Sequence, residues 1–206
     1  MKNLIVKTAV KTFLIILAVA VVAFGIFNFA CPQHMATFAE QVGNYGMAVR
    51  YASLRYTYTG DTRDLARCFE DAILAEDDSS VVRYGDEFFR KDDCAQVMYE
   101  LTAESVDETT GRYVDYLSLF GGSLVKSRYA TGNFEGALSL ALDLNGGTDS
   151  FEYGCPLMSL TAAVYGGQDR QNAPALLEAL RGLSPADEVE QQLLEQLIKS
   201  VTTLTL

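Results

Sequence analysis

From Thr12 to Ala30 the chain runs for nineteen residues without a charge and, apart from Thr12 and Asn28, without a strongly polar side chain. Wound as a helix at about 1.5 Å per residue, the stretch reaches ~28 Å, close to the hydrocarbon thickness of a bilayer. Twelve of the nineteen are Leu, Ile, Val or Phe. On an insertion scale they sum to roughly −4 to −7 kcal/mol, with no charge to oppose them. The pattern predicts a single transmembrane helix over residues 12–30. After Ala30 it changes: apolar residues recur at spacings of three and four, and no convincing period-2 run appears. Leu65, Phe69, Ala72 and Ile73 fall on one helical face, as do Ala173, Leu176, Leu177 and Leu180, and then Val189, Leu193, Leu197 and Val201. About ten short helices are predicted, near 33–43, 46–59, 62–75, 80–90, 93–106, 111–131, 134–144, 151–166, 172–182 and 185–201. Capping residues mark several starts: Asp61 with Asp64 three places on, Asn133 after Gly132, and Ser184 with Pro185 at the first helical position and Asp187 after it. Residues 77–80 and 107–111 read as loops, and Gly146-Gly147 as the end of a helix.

Charge sets the orientation. Lys2, Lys7 and Lys11 precede the apolar run, and no Lys or Arg occurs from Thr12 to Ala39. The positive-inside rule therefore puts residues 1–11 in the cytoplasm and residues 31–206 outside it, as one extracytoplasmic domain of a single-pass protein of the cell membrane. A cleaved signal peptide fits less well, because a cut after Ala30 puts Asn28 at the third place before it and a cut after Ala36 puts His34 there, while Thr37 and Ala39 fit better but lie far past the apolar run. Lipidation of Cys31 is disfavoured by the Asn28-Phe29-Ala30 that precedes it and the Pro32 that follows. The formal net charge is −11; the first eleven residues contribute +3, so the remainder carries −14. Such an acidic body argues against nucleic acid as a partner and against lying on anionic lipid. The sequence lacks an Asn-x-Ser/Thr acceptor, which favours a bacterial over a eukaryotic secretory origin.

Turns with a common chemistry suggest repetition. Gly43, Gly60, Gly132 and Gly167 each stand between two helical patterns, and Asp92-Asp93 falls where a further turn would keep a period near 35. Gly43-Asn44-Tyr45 is followed by Ala48 and Ala52. Gly60-Asp61 is preceded by Ser53 and Tyr56 and followed by Leu65, Phe69 and Ala72. Gly132-Asn133-Phe134 is followed by Ala137, Ala141 and Leu144, and Gly167 by Leu176, Ala179 and Pro185. In these residues the chain resembles the tetratricopeptide-repeat family, over 33 to about 200. The resemblance implies three to four and a half helical hairpins, packed closely through small residues opposite one aromatic, with protein or peptide binding as the family's usual work. The fold expected is all-α, a transmembrane helix followed by a tetratricopeptide-like hairpin solenoid or a compact helical array.

Residues with reaction chemistry are few. His34 is the sole histidine and stands three residues from Cys31, a spacing that puts both on one helical face, yet two ligands do not make a zinc site. Gly-rich phosphate loops, nucleophile elbows and calcium loops are lacking. Glu76-Asp77-Asp78 and Asp92-Asp93 stand at helix starts, where carboxylates cap free N–H groups. Cys31, Cys68, Cys94 and Cys155 permit disulfides outside the cytoplasm, Cys68 to Cys94 being the first pairing to test, but most fall at apolar helix positions where a thiol acts as a small hydrophobe. Tyr51 and Tyr58, seven apart, offer an amphipathic wall for a bound peptide. The expectation is a membrane-anchored scaffold or adaptor that binds a protein or peptide at the extracytoplasmic face, held in the membrane through residues 12–30. No catalytic residues, cofactor or metal are expected. A self-assembling structural protein is the alternative, followed by an enzyme without a recognisable motif.

Overall fold

A computed structural model describes the backbone of residues 2–144, 150–151, 155–185 and 187–206, and their side chains except those of 2–9, 23, 24, 27–29 and 150–151. The apolar stretch forms α1 (Lys2–Ala30), a single helix. Part of the expected span falls on 23, 24 and 27–29, whose side chains lie outside the described residues. Within α1 the described side chains run unbroken only from Val10 to Val22, and among the described residues no helix is long and apolar enough to cross a membrane. Cys31 leaves the helical conformation ahead of Pro32, which opens α2 (Pro32–Gln41) where its missing N–H has no partner to lose.

Three antiparallel neighbours follow. Gly43 at φ +71° and Gly60 at φ +66° turn the chain into α3 (Tyr45–Thr59) and α4 (Thr62–Leu74) in left-handed backbone that a side chain would strain. Asn44 caps α3 by accepting from the Met47 N–H at 3.1 Å, and Asp61 caps α4 by accepting from the Arg63 N–H at 2.7 Å. Asp77 caps α5 (Asp78–Phe88) through Ser80. Then come α6 (Cys94–Glu104), α7 (Tyr116–Ala130), α8 (Phe134–Leu144), β1 (Ser150–Phe151), α9 (Pro156–Gly166), α10 (Ala173–Arg181), β2 (Ser184–Pro185) and α11 (Glu188–Thr205).

The core has two clusters that meet at α7. Phe120 and Leu124 of α7 are wholly buried with Leu65, Phe69 and Phe88 of α4 and α5, and Phe120 lies 4.5 Å from Phe69 and 5.4 Å from Phe88 between ring centroids. Val125, one residue on, faces the other way into a cluster with Ala137, Leu157, Leu160, Leu176, Leu180 and Val201. Close approach is built in on both sides. A Cβ on Gly85 of α5 would sit 2.9 Å from both Leu124 Cδ1 and Phe69 Cζ, and one on Gly122 of α7 would sit 2.7 Å from Ser159 Oγ. Polar ties follow the same route: Arg128 donates to Asp86 of α5 and to the Gly136 carbonyl of α8, and Ser127 donates to Asp78 at 2.6 Å.

The all-α expectation holds for the bulk of the described chain, with differences of known cause. The helix expected from 111 begins at Tyr116, because Asp107 takes the Thr109 and Thr110 N–H groups and the Ser105 hydroxyl takes that of Val114, stapling a loop to the end of α6. The helix expected over 151–166 begins at Pro156; Ser150 and Phe151 instead pair in parallel with Ser184 and Pro185. Ser184 and Pro185 are taken up by this pairing, and α11 starts later, with Asp187 as its cap accepting from the Glu190 N–H at 2.8 Å. Val189 is 72% exposed, and the buried residues of α11 are Leu194, Val201 and Leu204. Gly146-Gly147 lies outside the described residues. At the Gly167 turn the left-handed residue is Gln168, φ +53°. Cys31, Cys68 and Cys94 are free thiols, so the Cys68–Cys94 pairing does not form, and burial beside Asp71 and Asp64 pushes Cys68 up to about 12.

Among the described residues the packing of successive helices varies along the chain. The turns at Gly43, Gly60 and Gly132 join helices that pack on each other, whereas α6 packs on α7 and α4 instead of on α5, and α9 packs mainly on α7 and α8 instead of on α10.

Gly85→Val should lower stability by about 2 kcal/mol, since overpacking against Phe69 and Leu124 outweighs the ~1 kcal/mol that a helix gains on losing a glycine. Gly46→Ala, where the nearest atom is the Asn44 cap oxygen at 4.0 Å, should be neutral or slightly stabilising. Urea unfolding of both variants in detergent checks the pair, and equal midpoints would refute the close-approach account.

Candidate functional site: two clefts meeting at Tyr45 and Leu74

α4 is strongly amphipathic. Its buried edge carries Leu65, Cys68, Phe69 and Ala72, and the next face carries Asp64, Arg67 and Asp71, spaced by three and four. α2 lies along that charged face. Together with α3 and α6 they enclose a cleft of about 480 Å³ whose lining includes Glu40, Arg55, Arg63, Arg67, Glu70 and Asp71. A second cleft, of about 670 Å³, opens between the Gly43–Gly46 turn and the end of α4. Tyr45 and Leu74 line both, so the two meet there.

Most of the charges in the first cleft are spoken for. Arg55 Nε donates to Asp64 Oδ1 at 2.6 Å and also reaches Gln33. Arg67 holds Glu40 Oε1 through Nη2 at 2.6 Å and Nε at 2.8 Å, and donates to the Thr37 hydroxyl at 2.7 Å, tying α4 to α2. Arg63 turns outward to Glu104 and, at 3.9 Å, Glu100 on α6. Glu70 accepts the Tyr116 hydroxyl at 2.8 Å, and the Tyr116 phenol is raised by burial and by that carboxylate.

Asp71 is different. It is 2% exposed, and among the described residues no donor reaches its Oδ2. The other buried polar side chains, Thr62, Ser127 and Thr161, each donate to an oxygen. A carboxylate can only accept. Burial, followed by the charge of Glu40, pushes the Asp71 carboxyl up to about 7, with Arg67 pulling the other way and Glu70 adding to the rise. Protonated, Asp71 can donate to Glu40; ionised, it stands against a second carboxylate.

The sequence-selected tyrosines lie elsewhere. Tyr51 is half-buried and Tyr58 is 64% exposed on α3, and neither lines either cleft, whereas Tyr45 lines both. His34 is exposed on α2, its N–H donating to the Cys31 carbonyl at 3.1 Å. Among the described residues no group of three or more His, Cys, Asp or Glu is placed to hold a metal ion. Of the acidic runs, Asp77 caps α5, Asp78 accepts from Ser127, and Asp93 accepts the Thr62 hydroxyl at 2.7 Å, tying the start of α6 to that of α4. Sequence reading passed over Glu40, Arg67 and Asp71. The row Asp64, Arg67, Asp71 beside a buried stripe was the available signal, and it did not show that α2 would cover it. No family model, curated protein or solved structure matches the chain.

The raised Asp71 carboxyl has a signed consequence. Its ordinary value of 3.8 governs the unfolded chain and about 7 the folded one, so the folded state binds the extra proton between these limits. The stability cost is absent below pH ~4, grows as pH rises, and is complete above ~7, on the order of 4 kcal/mol at most. Asp71→Asn keeps a neutral donor facing Glu40 and should remove this slope. Denaturant midpoints from pH 4 to 8 should show the variant gaining on the wild type up to pH ~7 and level beyond; parallel curves would refute it.

Proposed function

We propose that the protein is a single-pass membrane protein whose extracytoplasmic helical domain binds a protein or peptide, as a scaffold or adaptor. The observation that carries the reading is the surface of α1: from Phe13 to Val22 the large apolar side chains are each between 49% and 65% exposed, on every side of the helix. Its main neighbour is α2, at its end. A surface of this kind is stable in lipid and not in water, and the three lysines before it set its direction. Contact, as opposed to bond-making, is supported by the site itself: joined clefts lined by ion-paired side chains, with Tyr45 of α3 lining both and Tyr58 exposed elsewhere on the same helix. The likeness to tetratricopeptide repeats rests on the turn glycines and on the buried Ala48, Ala52, Ala72, Ala137 and Ala141.

Replacing Leu17 and Val19 by Arg should cost roughly 5–7 kcal/mol of insertion free energy. The variant should move into the carbonate-soluble fraction while the wild type stays with the membrane, and a reporter fused after Leu206 should be active only outside the cytoplasm. Retention of both proteins alike, or a cytoplasmic reporter signal, would overturn the anchor. A photo-crosslinker at Tyr58 in intact membranes should capture a second protein; capture of the chain itself alone would favour self-assembly.

A further inference from the structure

The cleft between α2 and α4 holds four carboxylates, Glu40, Asp64, Glu70 and Asp71, against three guanidinium groups, Arg55, Arg63 and Arg67. Two of those cations are paired within the cleft and the third turns to α6, while Glu70 has the Tyr116 hydroxyl. The carboxylate left over is Asp71, nine-tenths buried and more, lining the cavity, with an oxygen that meets no donor among the described residues.

We propose that this cleft binds one protonated primary amine, with the Asp71 carboxylate as its counter-charge and Glu40 as a second acceptor. An ammonium group brings three donors and one positive charge on a compact head. It supplies the donor that Oδ2 lacks and cancels the repulsion between Asp71 and Glu40. A hard divalent cation demands six or more oxygens in close array, which this cleft does not assemble. Guanidinium is the poorer fit, because Arg55 and Arg67 already occupy the planar positions opposite Asp64 and Glu40.

The charged and titratable groups that act on Asp71 are Glu40 from α2 and Arg67, Cys68 and Glu70 from its own helix, and Tyr45, Arg55, Arg63 and Asp64 line the same cleft. Among the described residues Arg67 is the cation that acts on it, and it is committed to Glu40. With Asp71 protonated, the amine enters as an ammonium ion, the O–H bond of the carboxyl breaks, and its proton leaves to water. Binding therefore strengthens about tenfold per pH unit below ~7 and levels off above it. Where the amine is a lysine side chain, the proposal deepens the peptide-binding reading and rests on it; where it is a free alkylamine, it does not.

The test uses the full chain in nanodiscs, with n-butylammonium chloride and a blocked Gly-Lys-Gly peptide as probes. The readouts are calorimetry between pH 5 and 8 and the carboxyl resonance of Asp71 in ¹³C-labelled protein. The expected result is a downward shift of the Asp71 titration on saturation, release of close to one proton per ligand near pH 6, and at least tenfold weaker binding to Asp71→Asn. Binding of both probes identifies the ammonium head as sufficient; binding of the peptide alone identifies a lysine side chain of a protein partner. If neither probe binds, or if the Asp71 titration is unmoved at saturation, the proposal falls, while the crosslinking and fractionation results stand apart from it. Should Asp71→Asn fail to fold, the wild-type pH slope alone decides, since adventitious surface binding would be flat across the Asp71 titration.

Discussion

Helix α7 must bury two opposite faces at once, and the rest of the domain is arranged around that requirement. Phe120 and Leu124 point into the cluster of α4 and α5, Val125 into the cluster of α8 to α11. A helix buried on both sides cannot shift towards one neighbour without opening a void at the other, and interiors at crystal-like density tolerate little of either. Gly85, Gly121 and Gly122 are consequences of the same demand, because each stands where a methyl group would meet a side chain at 3.0 Å or less. The polar ties from Ser127, Arg128 and Tyr129 reach α5, α8 and the turn before α10, so hydrogen bonding reinforces the position that packing sets.

Away from that centre, α2, α3 and α4 are also joined by polar contacts. Arg67 spans from α4 to Glu40 and Thr37 of α2, Arg55 from α3 to Asp64, and Tyr56 from α3 to Glu87 of α5. These pairs are partly exposed, so each is worth little alone. Their effect is to fix where α2 lies, which determines that Asp71 is covered. A carboxyl group on a helix surface would ionise freely; the same group under α2 and beside Glu40 does not.

The local elements were legible from the sequence because their causes are local. Asp61, Asn44 and Asp77 cap the helices that follow them, the turn residues Gly43, Gly60 and Gly132 all have positive φ, and the stripes of α4 and α10 are buried as their spacing requires. The misplaced boundaries fall where a partner distant in sequence intervenes. Ser150 and Phe151 pair with a segment more than thirty residues away, and Val189 is exposed while α11 buries Leu194, Val201 and Leu204 further along. Tyr51 and Tyr58 were chosen by spacing on one helix, whereas cleft membership depends on which helices meet, and there Tyr45 takes their place.

Taken alone, the amino-acid order determined an apolar N-terminal segment with basic residues on one side, an acidic helical remainder, and the turns between most of its helices, since hydropathy, capping and glycine conformation act over a few residues. Tertiary structure decided which helices touch, where the two clusters divide, and that Asp71 is buried with an oxygen that no donor reaches among the described residues. Those outcomes depend on the separation of groups far apart along the chain, Glu40 from Arg67 and Asp71 above all, and burial is what turns an ordinary aspartate into one whose charge is costly.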